Sequence, residues 1–105
     1  MAARDRLVEI AKKATPKRKE ILSWVLLDLD RALGDAEKCI FYRSIFNLRQ
    51  AWYHVYRYLQ TEPPMQEAME VQDAVSEFDG EIERAIKKNC SCKFLGFKEV
   101  HPELV

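Results

Sequence analysis

The segment DAEKCIFYRSIFNLRQAWYHVYRYLQ, residues 35–60, decides how this chain folds. From residue 41 onward its apolar positions recur every three or four residues, the period of an α-helix and not of a strand. On a helical wheel, Phe41, Ile45, Leu48, Trp52, Val55 and Leu59 fall within about 80° of arc, a seam for core packing. Arg43, Asn47, Gln50, His54 and Arg57 gather opposite them, where a solvated stripe is expected. Between the two lies a shoulder of Tyr42, Phe46, Arg49, Tyr53 and Tyr56. The apolar arc is therefore about twice as wide as one packing neighbour requires. Such a helix either sits between two others or turns its shoulder toward another chain.

Punctuation on both sides of this segment sets the rest of the architecture. Thr15-Pro16 predicts a helix start, since Thr caps and Pro suits the first helical position. Gly34 is expected to end that helix and Asp35 to cap the next, which runs to about Gln60. Thr61-Glu62-Pro63-Pro64 breaks the chain again, and Pro64 opens a further helix to about Asn89. In it Ala68, Val71, Val75, Phe78, Ile82 and Ile86 keep helical phase across Gly80, so no more than a kink is expected there. A short helix over residues 3–14, with Leu7, Ile10 and Ala14 on one side, precedes these three. Nothing alternates with period two. The expected fold is all-α: an antiparallel bundle of three long helices and a short N-terminal one. Residues 1–105 form one domain, with 90–105 as a non-helical or short tail in which Phe94, Leu95, Phe97 and Val100 tuck against the bundle.

Bulk properties narrow the function classes. A chain of 105 residues, 48% hydrophobic, supports one core. Lys plus Arg equals Asp plus Glu at 17 each, which argues against bulk coating of nucleic acid. The charge is segregated, however. Residues 1–20 carry seven basic and three acidic groups, while residues 61–83 hold eight acids and no base. Arg4, Asp5, Arg6, Glu9, Lys12 and Lys13 interrupt any apolar stretch that a signal peptide needs. The longest apolar run, Trp24 to Leu27, falls far short of the roughly 20 residues that span a bilayer. Three cysteines is an odd number, from which a reducing, cytoplasmic location is expected.

Residues 49–56, RQAWYHVY, read as R-x4-H-x-Y. This resembles the motif of the HEPN superfamily, small all-α domains that include metal-independent ribonucleases and toxins. The resemblance implies that His54 moves protons while a 2′-hydroxyl attacks the adjacent phosphate, and that Arg49 stabilises the developing charge. Tyr56 matches the tyrosine of the toxin subgroup paired with nucleotidyltransferases. Arg49 and His54 lie five residues apart, about 140° round one helix, so a helix break or a two-fold partner is needed to complete such a site.

Other clusters suggest binding more than chemistry. Lys12, Lys13, Lys17, Arg18 and Lys19 surround a helix start, where free N–H groups and cations together make an anion or nucleic-acid site. Cys39, Cys90, Cys92 and His101 are poorly spaced for a metal, and Cys39 beside Ile40 and Phe41 reads as a small core residue. Cys90 and Cys92 read as exposed thiols in the tail. No P-loop, glycine-rich dinucleotide fingerprint or E-x-x-H pair is present, so neither cofactor nor metal is expected. The leading expectation is a non-enzymatic interaction module, a homodimer or a subunit of a larger assembly, with no membrane partner. Its expected contact surface is Trp24, Leu27, Tyr42, Phe46, Tyr53 and Tyr56, where Trp and Tyr stand beside Arg as they do at interfaces. The alternative is a HEPN-like endoribonuclease or RNA-binding domain using Arg49 and His54.

Overall fold

Four α-helices account for the fold of this computed structural model: α1 (Ala2–Lys13), α2 (Pro16–Glu37), α3 (Phe41–Leu59) and α4 (Met65–Val100). The backbone of residues 1–100 and the side chains of residues 1–90 are described, and no strand occurs among them. No described helix is long and apolar enough to cross a membrane. α4 continues past Asn89, so the expected break at residue 90 is replaced by helix to Val100. The side chains of Phe94, Leu95, Phe97 and Val100, and residue His101, lie outside the described residues.

α2 starts where Pro16 directs it, with Pro16 at the first helical position and the Thr15 carbonyl accepting the Lys19 N–H at 2.8 Å. It does not stop at Gly34, which has no positive φ, but continues to Glu37. Tertiary contacts explain the correction. Ala36 is wholly buried in the core, and Asp35 accepts bonds from Arg43 and Asn47 on α3, so both must stay on the helix. The turn comes at Cys39 instead, with φ 52°. There the Ile40 N–H bonds the Asp35 carbonyl at 2.8 Å and the Cys39 N–H bonds that of Ala36 at 3.1 Å. This is a Schellman ending with cysteine in the place glycine usually takes. Asp35 therefore does not cap α3; Ile40 stands at that position, with no side-chain cap bond.

The core is continuous across all four helices. Ala3, Leu7 and Ala11 of α1 meet Leu22, Val25 and Leu29 of α2 and Val71, Val75, Phe78 and Ile82 of α4 in one buried cluster. α4 runs unbroken through Gly80, as the phase of its apolar stripe requires. Polar ties cross the helix pairs. Arg4 forks onto Asp30 between α1 and α2, Arg6 meets Glu77 between α1 and α4, and the Trp52 indole donates to Asp79 between α3 and α4. Tyr58 is fully buried and donates to Glu67 at 2.7 Å; burial, then Glu67, push its phenol well above the usual range.

α3 is rotated from the expected setting. Its buried residues are Ser44, Leu48, Ala51, Val55 and Tyr58. Phe41, Ile45, Trp52 and Leu59 of the expected seam are only half-buried, packed against the margin of the core. The reason is the close approach of α2, the most extensive helix contact in the fold. Ser44 donates its hydroxyl to the Ala32 carbonyl at 2.7 Å, which requires small residues between the two backbones. A wheel weighted by large apolar side chains cannot see that seam.

Cys39 and Cys90 are joined by a disulfide with a Cα–Cα separation of 5.3 Å, pinning the α2–α3 turn to α4. This corrects the expectation that Cys39 is only a small core residue and that Cys90 is an exposed thiol. It also removes the cysteine argument for a reducing compartment, since such bonds persist where thiols are oxidised. Two stability outcomes follow. Gly34→Ala places its methyl in open space on a helix interior, and is expected to raise stability by about 0.5–1 kcal/mol in chemical denaturation. Cys39→Ser/Cys90→Ser opens a covalent loop of 51 residues and is expected to lower stability by up to about 4 kcal/mol. The same loss on adding reductant to the wild type would tie the effect to the bond and not to the substitutions.

Candidate functional site

The heptad-like run Tyr42, Phe46, Arg49, Tyr53 and Tyr56 lies about 160° round α3 from its buried line. The rotation that moved Ser44, Ala51 and Tyr58 inward carried this shoulder fully outward. Tyr42 is 85% exposed, and Phe46, Tyr53 and Tyr56 are each between 56% and 59%. On α2, Trp24 is 46% exposed and Leu27 37%. All six residues expected to form a contact surface thus lie open to solvent. Exposing one such side chain is ordinary; four on one helix, with two more on its neighbour, are a concentration of exposed apolar surface.

The two helices are linked at this face by a polar and aromatic joint. The Trp24 ring stacks on His54, with centroids 6.2 Å apart and planes at 27°, and Tyr53 meets the same imidazole edge-on at 5.5 Å. Beneath them His54 Nε2 stands 3.5 Å from Asp28 Oδ2, a charge contact longer than a hydrogen bond. Asp28 is only 7% exposed, and both its Oδ2 and His54 Nδ1 are buried without a hydrogen-bond partner. Burial lifts the Asp28 carboxyl above its ordinary value, with His54 and Arg31 opposing. A second joint lies further along α2. Arg43 and Asn47 converge on Asp35, holding its carboxyl below the usual range, chiefly through the Arg43 hydrogen bond.

His54 therefore does not lie in a solvated stripe. Arg43 and Arg57 of that stripe are exposed as expected, whereas Asn47 and His54 are half-buried and reach Asp35 and Asp28 on α2. The missed residues are Asp28 and Asp35, seven apart on α2, whose spacing matches Asn47 and His54 on α3. Two acids at that interval opposite a cationic helix were the signal available. Arg49, by contrast, is exposed within the aromatic run, and Tyr56 is exposed beside it. One chain does not bring Arg49 and His54 onto one face.

The basic cluster also divides. Arg18 is half-buried and donates to Thr61 Oγ1 at 2.9 Å and to the Thr61 and Glu62 carbonyls at 2.8 and 3.1 Å. It ties the start of α2 to the loop that follows α3, close to the helix C-terminus, where a cation is favoured. Lys12 pairs with Glu9, and Lys12, Lys13, Lys17 and Lys19 are exposed. Cys39 and Cys90 are consumed by their mutual bond, and no group of three or more metal-binding side chains occurs among the described residues. Comparison with protein-family models, with curated proteins and with solved structures returned no match.

The raised Asp28 carboxyl has a defined linkage. Its contribution to stability is fully present below the unfolded value of 3.8 and is lost as pH rises through the folded one. Asp28→Asn keeps the shape and drops the charge. It is expected to raise the thermal midpoint near pH 7 and to change it much less near pH 3.5. An equal shift at both would mean that the buried charge is not the cause.

Proposed function

We propose that this chain is a non-enzymatic helical interaction module that docks on protein through the outer face of α3, with Trp24 and Leu27 of α2 alongside. The carrying observation is the exposure of Trp24, Leu27, Tyr42, Phe46, Tyr53 and Tyr56 on helices whose other faces are already filled. Tyr and Trp offer large contact area for little lost rotamer freedom, and arginine among them is the composition of interface hot spots. The joint at His54 and Asp28 lies directly beneath this surface, where α2 meets α3. The arrangement is read as an antiparallel bundle. Contacts between Asp28 and His54, Ala32 and Ser44, and Asp35 and Arg43 support it, because numbering falls along α3 as it rises along α2.

The partner is protein, either a second copy or a subunit of a larger assembly. A metal-independent ribonuclease on Arg49, His54 and Tyr56 has the motif alone behind it. A cytoplasmic location fits this reading only where the Cys39–Cys90 pair is reduced.

Sedimentation over a concentration series tests the proposal. The wild-type mass is expected to rise with concentration. Tyr42→Ser/Phe46→Ser/Tyr53→Ser/Tyr56→Ser is expected to weaken association by about tenfold or more while keeping its helical content. Association unchanged in that variant would overturn the docking face, and none at millimolar protein would overturn a second copy as its occupant.

A further inference from the structure

The charge on this molecule is segregated between two successive segments. α3 carries Arg43, Arg49 and Arg57 and no acid. The segment that follows, residues 61–83, carries eight acids and no base. On α4 the exposed positions of this segment include Met65 at 79%, Met69 at 53%, and Glu70, Asp73 and Glu83. Met65, Met69, Asp73 and Glu83 fall within about 80° of one another around the helix, facing away from the buried line of Val71, Val75, Phe78 and Ile82. The outer face of α4 thus opens on two flexible thioethers at its N-terminal end and carries the acids Asp73 and Glu83 beyond them. The outer face of α3 is aromatic with a cationic centre.

We propose that the docking face of α3 takes the outer face of α4 from a second copy of this chain. The inference rests on the docking face proposed above and names its occupant. With the two helices parallel, Tyr42 and Phe46 would receive Met65 and Met69, a pairing of polarizable sulfur with rings, and Tyr53 and Tyr56 would lie over the stretch between Asp73 and Glu83. Arg49 and Arg57 would meet Asp73 and Glu83. The aromatic run spans about 21 Å from residue 42 to 56, and the Met-acid run about 27 Å from residue 65 to 83, so the two are of similar length. Packing α3 on a second α3 would bring Arg49 toward its own copy with no acid on either helix to relieve it. Within one chain the pairing is excluded, because α3 and α4 meet through other residues, such as Trp52 and Asp79. Two different faces are joined, so the contact is head-to-tail and continues into a ring or a linear array unless a dyad relates both contacts at once.

Charge reversal on each face separately, then in mixture, tests this on the full chain. Arg49→Glu/Arg57→Glu and Asp73→Lys/Glu83→Lys are each expected to weaken self-association by about tenfold or more, because like charges then face each other. An equimolar mixture of the two variants is expected to regain association, since each then offers the other a complementary surface. Wild-type association is expected to weaken as salt rises. All four residues are exposed, and unchanged circular dichroism of each variant would exclude unfolding as the cause of a loss. Association lost in the α3 variant but kept in the α4 variant would overturn this pairing and leave the docking face standing. A mixture that stays dissociated would likewise overturn the pairing. A strict monomer would overturn the second copy as occupant, and association indifferent to both variants would overturn the docking face as well.

Discussion

The hydroxyl of Ser44, buried and bonded to the Ala32 carbonyl, fixes how near α2 and α3 can stand, and most of the molecule follows from that distance. Two helices that close tolerate only small residues at the contact, and Ser44, Ala51 and Ala32 supply them. Once that line is innermost, the rotation of α3 has no freedom left. Its polar flank must lie along α2, where Asp28 and Asp35 receive it. Its large apolar residues must spread toward α4, and its aromatic run must look outward. A single hydrogen bond between a side chain and a backbone thus orients the whole central helix.

The sequence was a good guide wherever local chemistry decided the outcome. Pro16 and Pro64 marked helix starts because a fixed φ and a missing donor leave few alternatives. The apolar phase of α4 carried it across Gly80, since one glycine costs less than losing the stripe. Reading failed where distant residues overrode local preference. Gly34 looked like a helix end, but Asp35 and Ala36 had tertiary partners that kept the helix going. Arg18 looked like part of an anion site at the start of α2 and instead donates to the Thr61 and Glu62 carbonyls just beyond α3. Neither could be read without knowing which helix ends meet in space. The six exposed apolar side chains were legible as a group because their composition and spacing suit a contact. Their setting opposite the core was not, because the small-residue seam is invisible to a hydrophobicity count.

The buried polar groups at the α2–α3 contact fall into two kinds. Asp35 is satisfied by a fork and an amide, and acts as a fixed brace. Asp28 faces His54 at a distance too long for a hydrogen bond, beneath Trp24. Satisfied groups specify a unique packing, whereas an under-satisfied pair leaves its end of the contact more costly and easier to move. The stiff end of the pair lies at the turn between the helices and the softer end beneath the exposed indole. Any adjustment of the aromatic face on docking would therefore start at Trp24 and His54.

The sulfur bridge between Cys39 and Cys90 changes how the chain would carry a mechanical pull. Tension applied at the two termini would pass from α2 directly through the bridge into α4. The stretch between, which includes all of α3 and its outward rings, would sit in a slack bypass. A pull on the ends would then unravel the flanks while α3 keeps its shape, for as long as the bridge remains oxidised.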